Sequence, residues 1–303
     1  MPEDWRAPAA LPLRDGLSAS SVALPPGPWA TILDFLCERF AHIDRMVWAE
    51  RMQAGQVLTT EGQPIGPDTA YRPAQTIHYY RHVTDEVRIP VEETILFQDE
   101  WLVVADKPHF LPVVPGGRFV RETLLARLRA TLSMPTLTPL HRIDRETAGL
   151  VVFCVQPATR HAYQRLFSER AVHKVYRAVA PLRESLLLPM MYRSRLAPAA
   201  RFPLMEETAG PPNAETRIAL LAVKHGLGLY QLEPLTGRTH QLRVQMTALG
   251  MPIVHDTMYP VLQASDAPID YQRPLQLLAH AIAFDDPVTG RRRSFESKRR
   301  LVW

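Results

Sequence analysis

Apolar residues recur with a helical period in the first part of the chain. Within residues 28–40 they are spaced every three or four positions, which predicts an amphipathic helix. A second helix is expected over residues 44–55, ending at a glycine. A turn within residues 56–65 and the strand-like residues 75–81 predict a small hairpin. Residues 1–28 show no such period and are expected to form an extended arm.

Strand-like runs dominate the chain after residue 94. Amphipathic helices are predicted over residues 116–132 and 239–250, and a third after Pro157. Strands joined in hairpins outnumber helices that connect parallel strands, which predicts an α+β domain with a largely antiparallel mixed sheet and flanking helices. The expected strands lie within residues 94–108, 150–155, 172–180, 216–237 and 277–297.

The segment HRIDRE, residues 141–146, places five polar side chains directly before one of these strands. The run 150–155 is apolar without alternation, which indicates a strand covered on both faces. Catalytic groups are often found on a loop that a buried strand holds in place. A salt bridge from Asp144 to Arg142 or Arg145 explains the same charges, and the segment alone does not decide between the two.

Composition excludes several classes of protein. The 303 residues are 46% hydrophobic, enough to bury a substantial core. The two cysteines, Cys37 and Cys154, do not suggest a disulfide framework and fit a reducing compartment. No apolar stretch approaches membrane-spanning length, and early acidic residues argue against a secretory signal. We therefore expect a cytoplasmic protein without a membrane partner.

The positive charge of the chain is concentrated near its C-terminal end. The net charge is +4, and residues 291–300, RRRSFESKRR, carry a net +5, which leaves −1 for everything else. Binding to nucleic acid must therefore come from local patches. The basic segment is either an edge strand protected by positive charge or a contact for RNA, and the sequence leaves both open.

Three motifs in the second part of the chain have to be considered together. They are HRIDRETAGL at residues 141–150, HKVYRAV at 173–179 and LTGRTHQLRVQM at 235–246. In this order they resemble the RluA-type pseudouridine synthases, which isomerise uridine in RNA. The resemblance extends over residues 94–296 and implies an RNA isomerase that needs neither a metal ion nor another cofactor. The expected partner is a structured RNA, such as a stem-loop of ribosomal or transfer RNA, and we expect a monomer.

The resemblance implies a catalytic role for three residues. Asp144 matches the catalytic carboxylate, which either attacks the anomeric carbon of the ribose or removes a ribose proton. Arg243 matches the arginine that pairs with this carboxylate and keeps it ionised and oriented. Tyr176 matches the tyrosine that stacks on the uracil and takes the ring proton late in the reaction.

A second group is expected to bind the substrate. Arg142 matches the arginine that fills the gap left by a uridine flipped out of its stem. Alternation along the strand places Lys174 on the same face as Tyr176. The family leucine that contacts uracil matches either of two neighbouring leucines. The predicted substrate-binding residues are His141, Arg142, Lys174, Arg238, Leu277 and Leu278.

The chain departs from the family at two loops. His109 and Phe110 follow the Lys-Pro pair at 107–108, where the family usually has a small residue and then glycine. His255 stands where the family has glycine before an aspartate. Neither departure removes a predicted catalytic residue.

The N-terminal part resembles the small RNA-binding domain first known from a ribosomal small-subunit protein, through RMQAGQV at residues 51–57 and QTIHYYR at 75–81. The expected organisation is an extended arm over 1–28, this small module over 29–84, and the catalytic domain over 87–303.

Other functions are also compatible with parts of the sequence. The eleven histidines raise the question of a metal site, but none has the spacing of a paired-ligand motif. A hydrolase with two carboxylates would need a second acid near Asp144, for which Glu146 is available. A catalytically silent RNA-binding or ribosome-assembly protein on the same fold is the remaining alternative.

Overall fold

The computed structural model describes residues 11–12, 14, 17, 19–80, 86–117, 119–263 and 269–303. Half of the residues in the predicted arm, 1–28, therefore lie outside the described residues. Two compact units divide the chain: one contains the residues up to Glu86 together with Gly117–Arg121, and the other contains Val87–Gly116 and Glu122–Trp303.

The first unit is a three-stranded antiparallel sheet packed with two helices. Its elements are β1 (Ser20–Ala23), α1 (Ile32–Arg39), α2 (Arg45–Gln53), β2 (Val57–Thr59) and β3 (Thr76–Tyr79), and the strand order is β1-β3-β2. The helix α1 begins where Thr31 and Asp34 cap each other. Leu36, Trp48 and Ile77 form the centre of the core. The short strand β1 lies within the segment that we expected to be an arm. It was not predicted, because four residues are too few to show a period.

The second unit is built on one large sheet. Its strands are β4 (Thr94–Gln98), β5 (Leu102–Lys107), β6 (Thr138–Pro139), β7 (Ala148–Cys154), β8 (His173–Pro181), β9 (Met190–Pro198), β10 (Met205–Thr208), β11 (Ala214–Lys224), β12 (Leu227–Pro234), β13 (Leu277–Asp285) and β14 (Arg292–Glu296). The main order is β10-β9-β11-β12-β8-β13-β7-β5-β4, with β14 on β13 and β6 on β7. Every described pairing is antiparallel except that of β7 with β13. The predicted mixed, largely antiparallel α+β fold is confirmed.

Three α-helices accompany this sheet: α3 (Leu124–Leu132), α4 (Arg160–Ser168) and α5 (Gln241–Ala248). The helix predicted from residue 116 begins only at Leu124, because the hydroxyl of Thr123 accepts from the Ala126 amide at 3.2 Å and caps it there. None of the helices in the described ranges has the length and apolar character needed to cross a membrane.

The parallel pairing of β7 with β13 joins strands β4–β7 to strands β8–β14 over two residue pairs, Leu278 with Ala148 and Ala279 with Gly149. Gly149 has a φ of +112°, and a Cβ at this position would lie 2.2 Å from the carbonyl oxygen of Ala279. Only glycine permits this close approach. The strand that follows the HRIDRE segment is therefore held directly against β13.

The last residues of the chain lie against β5. The Ser297 hydroxyl and the Lys298 amide both donate to the carboxylate of Asp106, each at 2.8 Å. Asp106 is 1% exposed, so this segment supplies hydrogen bonds that water does not. The C-terminal residues are thus part of the sheet's support.

Candidate active site

The predicted site residues surround one cavity of about 770 Å³ in the second unit. Those that line it are His141, Arg142, Asp144, Lys174, Tyr176, Arg238, Arg243 and Leu277. Leu278 does not line it, because neighbouring residues of β13 point to opposite faces of the sheet. Of the two leucines that the sequence left open, Leu277 is therefore the one at the cavity.

Lys107, at the end of β5, contacts the loop that carries Asp144. Its ammonium group is completely buried and donates to the carbonyl oxygens of Pro108 at 2.9 Å, Leu111 at 2.8 Å and Arg145 at 3.0 Å. Burial lowers the pKa of Lys107 to about 7, although the nearby charges of Glu146 and Asp144 oppose this shift. The contact with Arg145 ties the end of β5 to the HRIDRE loop, and the other two contacts hold the segment that follows β5.

Arg243, from α5, holds three carboxylates at once. Its Nη1 lies 3.2 Å from Asp144 Oδ2 and 3.3 Å from Glu146 Oε2. Its Nε and Nη2 lie 2.8 Å and 2.6 Å from the two oxygens of Asp256. Burial alone would lower the pKa of Arg243, but the hydrogen bonds and charge of Asp256, with the other two carboxylates, raise it well above its ordinary value. The guanidinium is permanently charged and fixed in orientation.

Asp256 was missing from the residues predicted by sequence. Its side chain is 1% exposed and also accepts from the backbone amides of Met258 at 2.8 Å and Tyr259 at 3.0 Å. An aspartate within the motif GMPIVHDTMYP could have suggested a functional role, but no periodic pattern in the sequence connected it with Arg243. The bidentate pair orients the arginine from the side away from Asp144.

Asp144 is the most accessible of the three carboxylates. Its side chain is 27% exposed, against 11% for Glu146 and 1% for Asp256. One oxygen accepts from Arg243, and the other accepts no hydrogen bond from the residues that the structure describes. Asp144 is therefore held at one oxygen and available to a ligand at the other.

Glu146 is not available as a second acid. It forms an ion pair with Arg145 at 2.7 Å as well as with Arg243. Burial would raise the pKa of Glu146, but these two guanidinium groups lower it below its ordinary value. An ionised, paired carboxylate does not donate a proton to a leaving group, which disfavours a hydrolase with two carboxylates.

Two further polar side chains of the cavity, Tyr176 and His141, are neutral. Burial, followed by the charge of Asp144, raises the pKa of Tyr176, so its phenol is protonated at neutral pH. His141 stacks on Phe167 with ring centroids 5.0 Å apart, and its Nε2 accepts from the Val152 amide at 3.2 Å. Burial lowers the pKa of His141 to about 3, which makes it a neutral wall residue.

Cations line the edge of the cavity. Lys174 donates to the carbonyl oxygen of Thr236 at 3.4 Å, and burial lowers its pKa. Arg142, Arg170 and Arg238 are exposed and line the same cavity. An anionic, partly apolar ligand fits this combination of a charged edge and a neutral interior. Within the described ranges, no three His, Cys, Asp or Glu side chains are grouped so that they could hold a metal ion.

Comparison with known proteins identifies the family. Residues 101–248 match the RNA pseudouridylate synthase family. The chain is 32% identical over 234 residues to an uncharacterized RNA pseudouridine synthase of Synechocystis sp., covering 75% of this chain and 79% of that protein. It is 31% identical over 208 residues to the dual-specificity RNA pseudouridine synthase RluA of Salmonella typhi, covering 67% of this chain and 91% of that one.

The chain belongs to the RluA-type pseudouridine synthases. It is an isomerase that acts on RNA. Solved structures show the same fold: human RNA pseudouridylate synthase domain containing 1 superimposes with a TM-score of 0.55 at 22% identity, over 69% of this chain and 84% of that one. Human RNA pseudouridylate synthase domain containing 4 superimposes with a TM-score of 0.53 at 24% identity, over 67% of this chain and 87% of that one.

The two departures of this synthase from its family keep a glycine-like backbone. Phe110 has a φ of +68° and His255 a φ of +62°, a region that costs a residue with a side chain about 1–2 kcal/mol. Phe110 packs edge-on against Tyr271 with centroids 5.1 Å apart, and the ring Nδ1 of His255 lies 3.2 Å from the Pro274 carbonyl oxygen. These contacts act against the strain at the two positions.

Proposed function

We propose that this synthase isomerises uridine in a structured ribosomal or transfer RNA, with Asp144 as the catalytic carboxylate. The observation that carries the proposal is the position of this carboxylate. One oxygen is held by a buried arginine, the other accepts no hydrogen bond from a described residue, and Asp144 lines the cavity that Tyr176 and Leu277 also line. The dual-specificity relative from Salmonella typhi supports RNA of these two classes.

The reaction requires one bond to break and another to form between the same two rings. The bond from the ribose anomeric carbon to ring nitrogen N1 breaks, the uracil rotates, and ring carbon C5 joins the same ribose carbon. C5 then loses its proton and N1 gains one, so that the product is an isomer. Asp144 starts this sequence by attacking the anomeric carbon or by removing a ribose proton. Tyr176 and Leu277 hold the detached uracil by stacking and apolar contact.

The target uridine must leave its base stack to reach Asp144. The cavity is bounded by side chains of the sheet and of α5, and it accommodates a nucleotide but not a paired stem. Arg142 is exposed at the edge and makes no hydrogen bond or ion pair with a described residue. We assign to it the gap that the flipped uridine leaves, and to Lys174 and Arg238 the binding of phosphate and sugar oxygens.

We assign the enzyme to the cytoplasm as a monomer. Both cysteines are free thiols in the structure, which fits a reducing compartment. The small N-terminal module, residues 29–84, is assigned to RNA capture. Its core is complete with Trp48 and Leu36 fully buried, and it contributes no predicted catalytic residue.

Release of tritium from RNA labelled at uridine C5 tests the activity, because the C5 proton is lost in the reaction. We expect release from total RNA of a strain that lacks the gene. Mapping pseudouridine in RNA from cells with and without the gene then identifies the target. Binding to that RNA without any tritium release would favour the catalytically silent alternative.

Removal of residues 1–86 is expected to weaken capture more than chemistry. The RNA concentration that gives half-maximal rate should rise, whereas the single-turnover rate at saturating RNA should change less than about twofold. The reason is that every residue of the predicted active site follows Thr94. The measurement is tritium release over a range of RNA concentrations, with circular dichroism as the folding control. A large loss of the saturating rate would show that the module takes part in the site.

The variant Tyr176→Phe is expected to bind RNA normally and to fail at the proton step. Phenylalanine keeps the stacking surface, and loss of a proton-transfer group typically slows a reaction about 100-fold or more. Burial raises the pKa of Tyr176, so the phenol stays mostly protonated and its ionised fraction is still increasing at the highest pH the assay allows. Any rate that depends on the ionised form increases with it. We therefore expect the saturating rate of the natural protein to rise with pH and that of the variant to be flat.

A matched control is Tyr192→Phe. Tyr192 is on β9, and its hydroxyl donates to Glu207 on β10 at 3.0 Å. This residue does not line the cavity, and its loss should leave both tritium release and its pH profile unchanged. Tyr176 would be limited to stacking if the Phe variant released tritium at the natural rate.

A further inference from the structure

A second cavity, of about 400 Å³, lies against β8, β13 and the segment after β14. Arg177 lines this cavity, whereas its neighbour Tyr176 lines the active site. Side chains of adjacent residues in a strand point to opposite faces of the sheet. The second cavity is therefore on the face of the sheet opposite to the active site.

The basic segment that the sequence singled out divides into two parts. Part of its charge is neutralised within the protein. The ion pairs are Arg292–Asp285 at 3.2 Å, Arg293–Asp99 at 2.7 Å, Arg293–Asp286 at 2.9 Å and Arg299–Asp106 at 3.4 Å. Lys298 and Arg300 are exposed, line the second cavity and form no ion pair with a described residue. The charge that remains available in this cavity therefore comes from these two residues and Arg177.

Two buried nitrogen atoms at this cavity lack a partner. Nε of Arg177 and Nδ1 of His280 are buried and make no hydrogen bond with the described part of the chain. His280 lies at the bulge where β13 shifts its register against β8. Burial lowers the pKa of His280 and Arg177 lowers it further, so the ring is neutral at neutral pH, and its Nδ1 is a donor in the tautomer that carries the N–H there. A buried donor without an acceptor is costly unless a ligand or water satisfies it.

These groups match the chemistry of a phosphate. A phosphate group has several acceptor oxygens and a negative charge, while the cavity has the unpaired Nε–H donor of Arg177 and three cations. Glu296 also lines the cavity and opposes an anion, but its single charge is smaller than that of the three cations together. The exposed positions of Lys298 and Arg300 allow both side chains to close on a bound group.

We propose that the second cavity binds a phosphate group of the substrate RNA, on the face of the sheet opposite to the active site. The proposal rests on RNA being the substrate. It assigns to Arg177, His280, Lys298 and Arg300 a contact with a part of the RNA remote from the target uridine. A short stem-loop in the active site does not reach this face, so only a longer folded RNA uses both sites.

The test compares two double variants that remove the same charge. Lys298→Gln with Arg300→Gln removes the available cations, and Arg291→Gln with Arg292→Gln removes two exposed cations of the same segment outside the cavity. Binding of a long folded transcript is measured over a range of salt concentrations. We expect the first variant to bind more weakly with a salt slope lower by about one unit, and the second to be unchanged. Equal weakening in both would overturn the proposal in favour of general charge attraction.

Two further measurements separate the possible sources of the ligand. Inorganic phosphate is titrated into protein with labelled histidine rings, and the His280 signal is assigned by its loss in His280→Gln. We expect a shift in the natural protein and none in Lys298→Gln with Arg300→Gln, and no shift in the natural protein would overturn the site. A shift together with unchanged RNA binding would overturn the RNA contact and leave free phosphate as the ligand.

A short stem-loop should bind all variants equally, and selective weakening in the first variant would contradict the opposite-face geometry. Tritium release is scored separately, so failure of the proposed function remains distinguishable.

Discussion

Asp144→Asn is expected to abolish tritium release, with a loss of at least about a thousandfold in the single-turnover rate. Asparagine keeps the shape of the side chain and still accepts a hydrogen bond from Arg243. It neither attacks the anomeric carbon nor removes a ribose proton. RNA binding should remain close to that of the natural protein, because the cations at the edge of the cavity are unchanged.

The fold should tolerate this change. Arg243 keeps its bidentate contact with Asp256 and its contact with Glu146. Asp144 is 27% exposed, so losing its charge should cost no more than about 1 kcal/mol. The matched control is Asp285→Asn, which removes an exposed carboxylate paired with Arg292 and should leave the rate unchanged. Near-normal tritium release by Asp144→Asn would remove this residue from the mechanism.

Arg243→Met is expected to have the largest effect on stability. It leaves three carboxylates without their common cation, one of them 1% exposed. Breaking a buried ion pair from one side typically costs about 3–5 kcal/mol, which corresponds to a decrease of roughly 10 °C in the unfolding temperature of a domain this large. The rate should also fall, because Asp144 loses the group that orients it.

Two comparisons separate charge from geometry at Arg243. Arg243→Lys restores one positive charge but not the planar fork that contacts Asp256 at both oxygens, so it should recover part of the stability and little of the rate. Arg292→Met removes an exposed arginine from an ion pair and should change stability by less than about 1 kcal/mol. Thermal unfolding and tritium release on the same samples provide the data. Equal losses for Arg243→Met and Arg292→Met would show that the carboxylate cluster is not stabilised by its arginine.

Local patterns predicted the elements whose signals lie within a few residues. The uninterrupted apolar run before Gln156 gave the buried strand β7, and the spacing of the leucines in α3 gave its buried face. The hairpin β9–β10 was not predicted, because neither strand shows a clear alternation of apolar and polar residues. Burial there depends on packing against α5 rather than on the local sequence.

The site was predictable where a motif carried it and not where a distant partner did. Asp144, Tyr176 and Arg243 lie in the three motifs. Lys107 and Asp256 lie at the ends of segments whose pattern gave no reason to bury them. Arg145, whose carbonyl oxygen accepts from Lys107, is 38 residues away from it. Such contacts are set by the tertiary fold and have no local period.

The hydrogen bonds from Ser297 and Lys298 to Asp106 join two segments that are synthesised far apart in time. Ser297 is 191 residues after Asp106 in the chain. At a typical synthesis rate of about 5–20 residues per second, β5 waits roughly 10–40 s on the ribosome before these donors emerge. Until then a carboxylate that becomes 1% exposed has no protein partner and must stay in water, which keeps β5 from its final place beside β7. Because Lys107 at the end of β5 supports the Asp144 loop, we expect the active site to assemble only after residues 297 and 298 have been synthesised.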